Sequence, residues 1–231
     1  MSEVENRGLS APLLSQVSTV ATDGWAAESL AERAYRILER LIVTLQLEPG
    51  TVVNERNLVE LTGMGRTPVR EAIQRLAWEG LMEVRPRAGI TIAPIYPPDF
   101  GKVLDAREGV EQVLAGAAAR FGSRRDYTRL EAAAELMRQA VSAQDVILFL
   151  DADKAFDLVL GVAANNSYAA RLAAPLQTHS RRFWFQRHAF SSIASSAAAH
   201  AALIDAIVTR KPERAATAAK ALMNYLRSLA P

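Results

Sequence analysis

The chain has 231 residues, half of them apolar, and a net charge of only +2. That is enough for two cored domains and is not the composition of a disordered chain. The absence of cysteine excludes disulfides, thiolate zinc sites and cysteine nucleophiles, and it fits a reducing, cytoplasmic setting.

Residues 1–26 show no sustained period and are rich in Ser, Thr and small residues, so a mobile N-terminal tail is expected there. "MSEVENRGLS" lacks the basic start and apolar stretch of a signal peptide. No apolar run approaches the roughly 18 residues of a membrane span, so no membrane partner is expected. From Leu30 the apolar positions Leu30, Ala34, Ile37, Leu41 and Leu45 predict one helix face, which "EPG" at 48–50 ends. Asn54 is the expected N-cap of a short helix burying Leu58 and Leu61, with Gly63 closing it. Thr67 then caps a second helix with Pro68 at its first position, and Val69, Ile73 and Leu76 point inward. Two short helices around a Gly-containing turn form a helix-turn-helix.

After Gly80 the period changes to two. Met82 and Val84 alternate with Glu83 and Arg85, and Ile90 and Ile92 flank Thr91 across "PRAG". The pattern predicts a hairpin with Arg87 at its tip, so residues 27–95 read as a winged helix-turn-helix with a two-stranded wing. "APIYPPD" at 93–99 marks a linker. Residues 96–231 read as an all-α bundle of about six helices (98–121, 126–143, 145–164, 167–188, 191–210 and 212–229), with "RRD", "AQD", "NNS" and "RKPE" at the breaks. The fold class is therefore mainly α.

Arg66, Arg70 and Gln74 fall on one side of the second helix of the turn, opposite Val69, Ile73 and Leu76. A helix whose N-terminal end enters a DNA major groove carries this pattern, with Arg for guanine edges or phosphates and Gln for adenine. The alternative is a surface helix whose arginines pair with Glu71 or Glu79. Charge distribution decides little: residues 66–87 hold five arginines against three acids.

The run "VVNERNLVELTGMGRTPVREAIQRLAWEGLMEVRPRAGITI" resembles the DNA-binding domain of GntR-type transcription regulators, with "RTPVREAIQRLAWEGL" its most specific part. In the FadR-like branch, the resemblance implies operator contacts from Arg56, Arg66 and Arg70, a phosphate contact at Thr67, and a wing glycine near the minor groove at Gly89. "DAREGVEQVLAGAAA" is similar to the first effector-domain helix of that branch and places Arg107 and Glu111 at a ligand cavity. "DADKAFDLVLGVAANN" places Asp153, Phe156, Asp157 and Asn166, and "AHAALIDAIVTRKPERAA" places His200. The resemblance implies a dimer on a palindromic double-stranded operator, with a small-molecule effector, such as an organic or sugar acid, in the helical domain.

Many members of the branch hold a divalent metal with one Asp and three His. Here Asp153 and His200 match, but Asp157 stands at the first His position and Leu222 at the last. Two carboxylates and one imidazole would suit a hard ion such as Mg²⁺ or Mn²⁺ rather than tightly bound zinc. Alternatively, Asp153 and Asp157 form an acidic wall that pairs with an arginine, and His200 is a core histidine bonded to a backbone carbonyl. In "THSRRFWFQRH" at 178–188, either Arg181, Arg182 and the aromatics line a pocket for an acid with an apolar part, or the aromatics pack into the bundle or a dimer seam. Two rival functions remain: a metal-dependent enzyme using Asp153, Asp157 and His200, and a dimeric DNA binder without a ligand. The chain has no nucleophile elbow, phosphate loop or HExxH to support an enzyme.

Overall fold

A computed structural model describes residues 29–85, 89–188 and 193–230. The tail expected over residues 1–26 and the wing-tip Arg87 lie outside the described residues. The head comprises α1 (Leu30–Val43), β1 (Val52–Val53), α2 (Glu55–Thr62), α3 (Arg66–Trp78), β2 (Met82–Arg85) and β3 (Gly89–Ile92). The bundle comprises α4 (Asp99–Phe121), α5 (Arg124–Ala143), α6 (Val146–Ala163), α7 (Ser167–His188), α8 (Ile193–Val208) and α9 (Pro212–Ser228).

Each part has its own core. Leu38, Ile42, Leu58, Val69, Leu76 and Ile92 are buried together in the head. Phe100, Leu104, Leu114, Leu130, Met137 and Phe156 are among those buried together in the bundle. The six bundle helices lie within two residues of their expected ends. "RRD" is not a break but the first turn of α5, because Ser123 and Asp126 close a reciprocal capping box ahead of it.

The head departs from its sequence pattern in three places. In α1, Ala34, Tyr35, Leu38, Glu39, Ile42 and Val43 are buried, whereas Leu30 is exposed and the helix ends at Thr44. The stripe is shifted because α1 packs on two partners, α3 in the head and α7 in the bundle. In α2, Asn54 caps and Gly63 ends the helix in the left-handed conformation as expected, but Thr62 is buried and Leu61 is exposed. The Thr62 hydroxyl is satisfied by the Leu58 carbonyl at 2.9 Å. In α3 the N-cap is Gly65, with no capping side chain, so Thr67 and Pro68 sit inside the first turn. The proline's missing N–H is still one of the donors a helix start leaves unpaired.

The wing has three strands rather than two. Val52–Val53 pairs antiparallel with β3, giving the order β1-β3-β2, with Met82 opposite Ile92 and Val84 opposite Ile90. Two residues are too few to show alternation, so β1 left no readable period. Gly89 opens β3 at φ +95, and a Cβ there would lie 2.9 Å from Val52 Cγ1 and 3.2 Å from the Val53 carbonyl. Gly89→Ala should therefore destabilise the head by about 1–3 kcal/mol. Urea unfolding should show it, and an unchanged midpoint would refute the steric argument.

Candidate functional sites

The first site is the outer face of α3. Val69, Ile73 and Leu76 are buried at 0%, 4% and 0% exposure, which turns Arg66, Thr67, Arg70 and Gln74 to solvent. Arg66 is the first helical residue rather than one ahead of it. Because no side chain caps that end, its first-turn N–H groups are available to an oxyanion. The acid that α3 lacks on this face comes from α2: Arg70 Nε donates to Glu55 Oε2 at 2.6 Å. Arg56 pairs with Glu60 one turn along α2. Of the pairings with Glu71 or Glu79 that a plain surface helix would make, Arg75 makes one, donating to Glu79 at 3.0 Å and to Glu32 at 2.7 Å while stacking on the Tyr35 ring. Gly89 stands at the start of the wing's central strand, opposite Arg85.

The second site is buried in the bundle. Asp153 and Asp157, one turn apart on α6, converge on the guanidinium of Arg181 from α7. Arg181 Nη1 donates to Asp153 Oδ2 at 3.3 Å and makes a closer contact with Asp157 Oδ2. On the other side of Asp153, His200 Nε2 lies 2.8 Å from Oδ1, and its Nδ1 lies 2.8 Å from the Ser196 carbonyl. Both neighbours of the ring only accept, so both ring nitrogens carry protons and His200 is an imidazolium. Burial works against that charge, but the bond and charge of Asp153 outweigh it and raise the pKa. Burial likewise opposes ionisation of Asp153, yet His200 and then Arg181 hold it well below the usual carboxylate range. Asp157 has no such partner beyond Arg181, and burial and the Asp153 charge push it up. Phe156 packs its ring edge-on against His200, 5.6 Å between centroids.

These residues do not fit a metal ion. His200 Nε2 is turned to Asp153, and a guanidinium already occupies the space between the two carboxylates. Leu222 is buried among apolar neighbours, and Asn224 is exposed and bonded to Arg227. Among the described residues no three His, Asp or Glu side chains form a metal-holding group. The cavity bordered by Arg107, Asp153, Arg181 and His200 has only about 20 Å³, room for a single water. The arrangement matches the other reading left open by the sequence: an acidic pair facing an arginine, with His200 bonded to a backbone carbonyl.

The other expected effector residues divide. Arg107 faces the small cavity but is committed to Glu111, at 2.7 Å, and Gln177 Nε2 donates to the same Glu111 oxygen. Asn166 is not with them: its side chain accepts from the Ala169 N–H at the start of α7. In "THSRRFWFQRH", Phe183 stacks on Phe100, and Trp184 packs on Phe149 and donates to Ser196, so these aromatics are core. In the same stretch, Thr178, His179 and Arg182 face the seam with the head.

That seam was not foreseen. Thr178 donates to Glu39 Oε1 of α1 at 2.7 Å, and His179 Nε2 donates to the Glu79 carbonyl at the end of α3 at 2.8 Å. Arg182 Nη2 donates to the Ala93 carbonyl of the linker at 2.6 Å. Lys154 from α6 closes on Glu39, which is 2% exposed. Glu39 lies on the face opposite the stripe that the sequence predicts for α1, so the spacing gave no signal for this seam.

The His200 bonds predict a pH dependence. Its folded pKa lies above the unfolded value, so the stabilisation is complete below about pH 6.5 and is lost as pH rises through the raised value. Asp157, also raised, acts in the same direction. Thermal unfolding should show greater stability at about pH 6 than at about pH 8.5, with the difference reduced in His200→Gln. Equal pH slopes in both proteins would refute the imidazolium.

Comparison with known proteins agrees with this architecture. Residues 30–92 match the family described as bacterial regulatory proteins, gntR family, and residues 102–225 match the FCD domain. A regulator in an unstable DNA locus of Streptomyces ambofaciens is 33% identical over 53% of this chain and 51% of its own length. The HTH-type transcriptional repressor RspR of Escherichia coli is 29% identical over 62% of each chain. These matches span about half to three-fifths of the relatives' lengths. The solved structure of E. coli McbR/YncC superposes with a TM-score of 0.75 at 19% identity, covering 87% of this chain and 97% of that one. The chain belongs to the GntR family of bacterial regulators, in the FadR-like branch whose C-terminal domain is an FCD domain.

Proposed function

We propose that the chain is a transcription regulator that binds a palindromic operator as a homodimer in the cytoplasm and whose operator affinity is shifted by a small organic or sugar acid. The carrying observation is the exposed row Arg66, Arg70 and Gln74 on α3 over a buried Val69, Ile73 and Leu76. One head alone covers too little DNA for tight specific binding, which favours two. An apolar stripe supports self-association: Leu158 and Val162 on α6, and Tyr168 and Leu172 on α7, are each more than half exposed. No helix among the described residues is long and apolar enough to cross a membrane. The matching domain families and relatives are regulators rather than enzymes. The imidazolium and guanidinium around Asp153 and Asp157 leave no free base or metal ligand for the rival enzyme. The test is selection of binding sites from random DNA by the full chain. A two-fold symmetric consensus is expected, and enrichment of no sequence would overturn the proposal.

A further inference from the structure

The open space in this molecule is not on the Asp153 and His200 side of the acidic pair. The bundle's inner cavity has room for one water, whereas a cleft of about 760 Å³ opens on the opposite side of Arg181, between α1 and α3 of the head and α6 and α7 of the bundle. That volume suits a small metabolite. Its walls carry six cationic side chains against three acidic ones, with an apolar strip from Leu114 and Val159. At its floor, Glu39 of the head and Asp157 of the bundle share Arg181, and Lys154 closes on Glu39. The hydrogen bonds from Thr178, His179 and Arg182 that tie α7 to the head and its linker lie within one turn of Arg181.

We propose that this cleft is the effector site, and that it takes a small carboxylate with a short apolar body. The carboxylate pairs with Arg181 and Lys154 in place of Glu39. Glu39 is the head's share of the seam, so displacing it loosens α1 from α7. His179 then no longer holds the end of α3, and the spacing of two operator-bound heads is released. The inference rests on the regulator reading above. It places the effector at the junction of head and bundle, with a guanidinium as its anchor. A ligand acting this way has what coupling requires, different contacts in the two head positions.

Ala174 lines the cleft, is exposed, and belongs to neither core, so Ala174→Trp fills the space without disturbing the fold. Acetate, succinate, hexanoate, phenylacetate and gluconate would each be added at about 10 mM against chloride of equal ionic strength. At least one acid is expected to raise the melting temperature of the full chain by about 2 °C or more and to weaken operator binding. The same acid should do neither in Ala174→Trp. The site is overturned if none of the five stabilises the protein, or if the active acid works equally on Ala174→Trp. In either case, intact operator binding leaves the regulator reading standing. Failure of the acid-free protein to select any operator removes that reading, and the site with it.

Discussion

Arg181→Met should be the most damaging single substitution in the bundle, costing about 3–5 kcal/mol. The methionine fills much of the volume, so the loss is electrostatic rather than a cavity. Asp153, Asp157 and Glu39 all face this guanidinium from buried positions; His200 compensates the first and Lys154 the last, which leaves Asp157 without a cation. For a chain of this size the melting temperature should fall by roughly 6–20 °C. Asp157→Asn should recover part of it, because burial already favours the neutral form of Asp157. The double variant Arg181→Met/Asp157→Asn should therefore melt above the single variant. Added zinc or manganese should leave the wild-type melting temperature unchanged, since an ion would have to displace Arg181 and deprotonate His200. A wild-type-like Arg181→Met, or a rise of several degrees with metal, would show that the arginine is not the counter-charge of this centre.

How far the sequence could be read depended on the distance over which each feature is encoded. The inward face of α3 is local, set by Val69, Ile73 and Leu76 at helical spacing, and it was legible together with the outward Arg66, Arg70 and Gln74. The six bundle helices were legible for the same reason, even where Ser123 moved a start by two residues. β1 is too short to carry a period and becomes a strand only because β3 lies beside it. The seam joins Glu39 to Thr178 across 139 positions, and no spacing rule links them. Asp153, Asp157 and His200 do come together, but their chemistry was set by Arg181, which its own stretch disguised among aromatics. Of the two readings the sequence left open there, the geometry favours the acidic pair facing an arginine. Glu55 is a smaller case: the acid facing Arg70 lies on a different helix, so the α3 sequence alone appeared unpaired.

Replacing Arg70 by alanine should weaken operator binding by roughly ten- to a hundredfold, and Arg66→Ala should do so to a similar degree. A bidentate arginine contact to guanine is worth about 1–3 kcal/mol of discrimination. The pair with Glu55 does not stand in the way. Both partners are solvent-accessible, at 62% and 31%, and such a screened surface pair is weaker than a groove contact. Arg66 starts from the favourable end of the helix, where the uncapped N–H groups and the guanidinium can grip the same phosphate or reach the adjacent base. Gln74, one turn beyond Arg70, is the third member of the row, and Gln74→Ala should relax the preference at one base pair more than it lowers overall affinity. Neither arginine touches the bundle core, so both variants should keep their wild-type melting temperature and oligomeric state. The measurement is an anisotropy titration on the selected operator and on scrambled DNA at two salt concentrations. Loss confined to the operator marks a base contact, whereas equal loss on both DNAs with a flatter salt dependence marks a phosphate contact. If both alanine variants bind operator as wild type does, α3 does not enter the groove by its N-terminal end, and the docking must be abandoned.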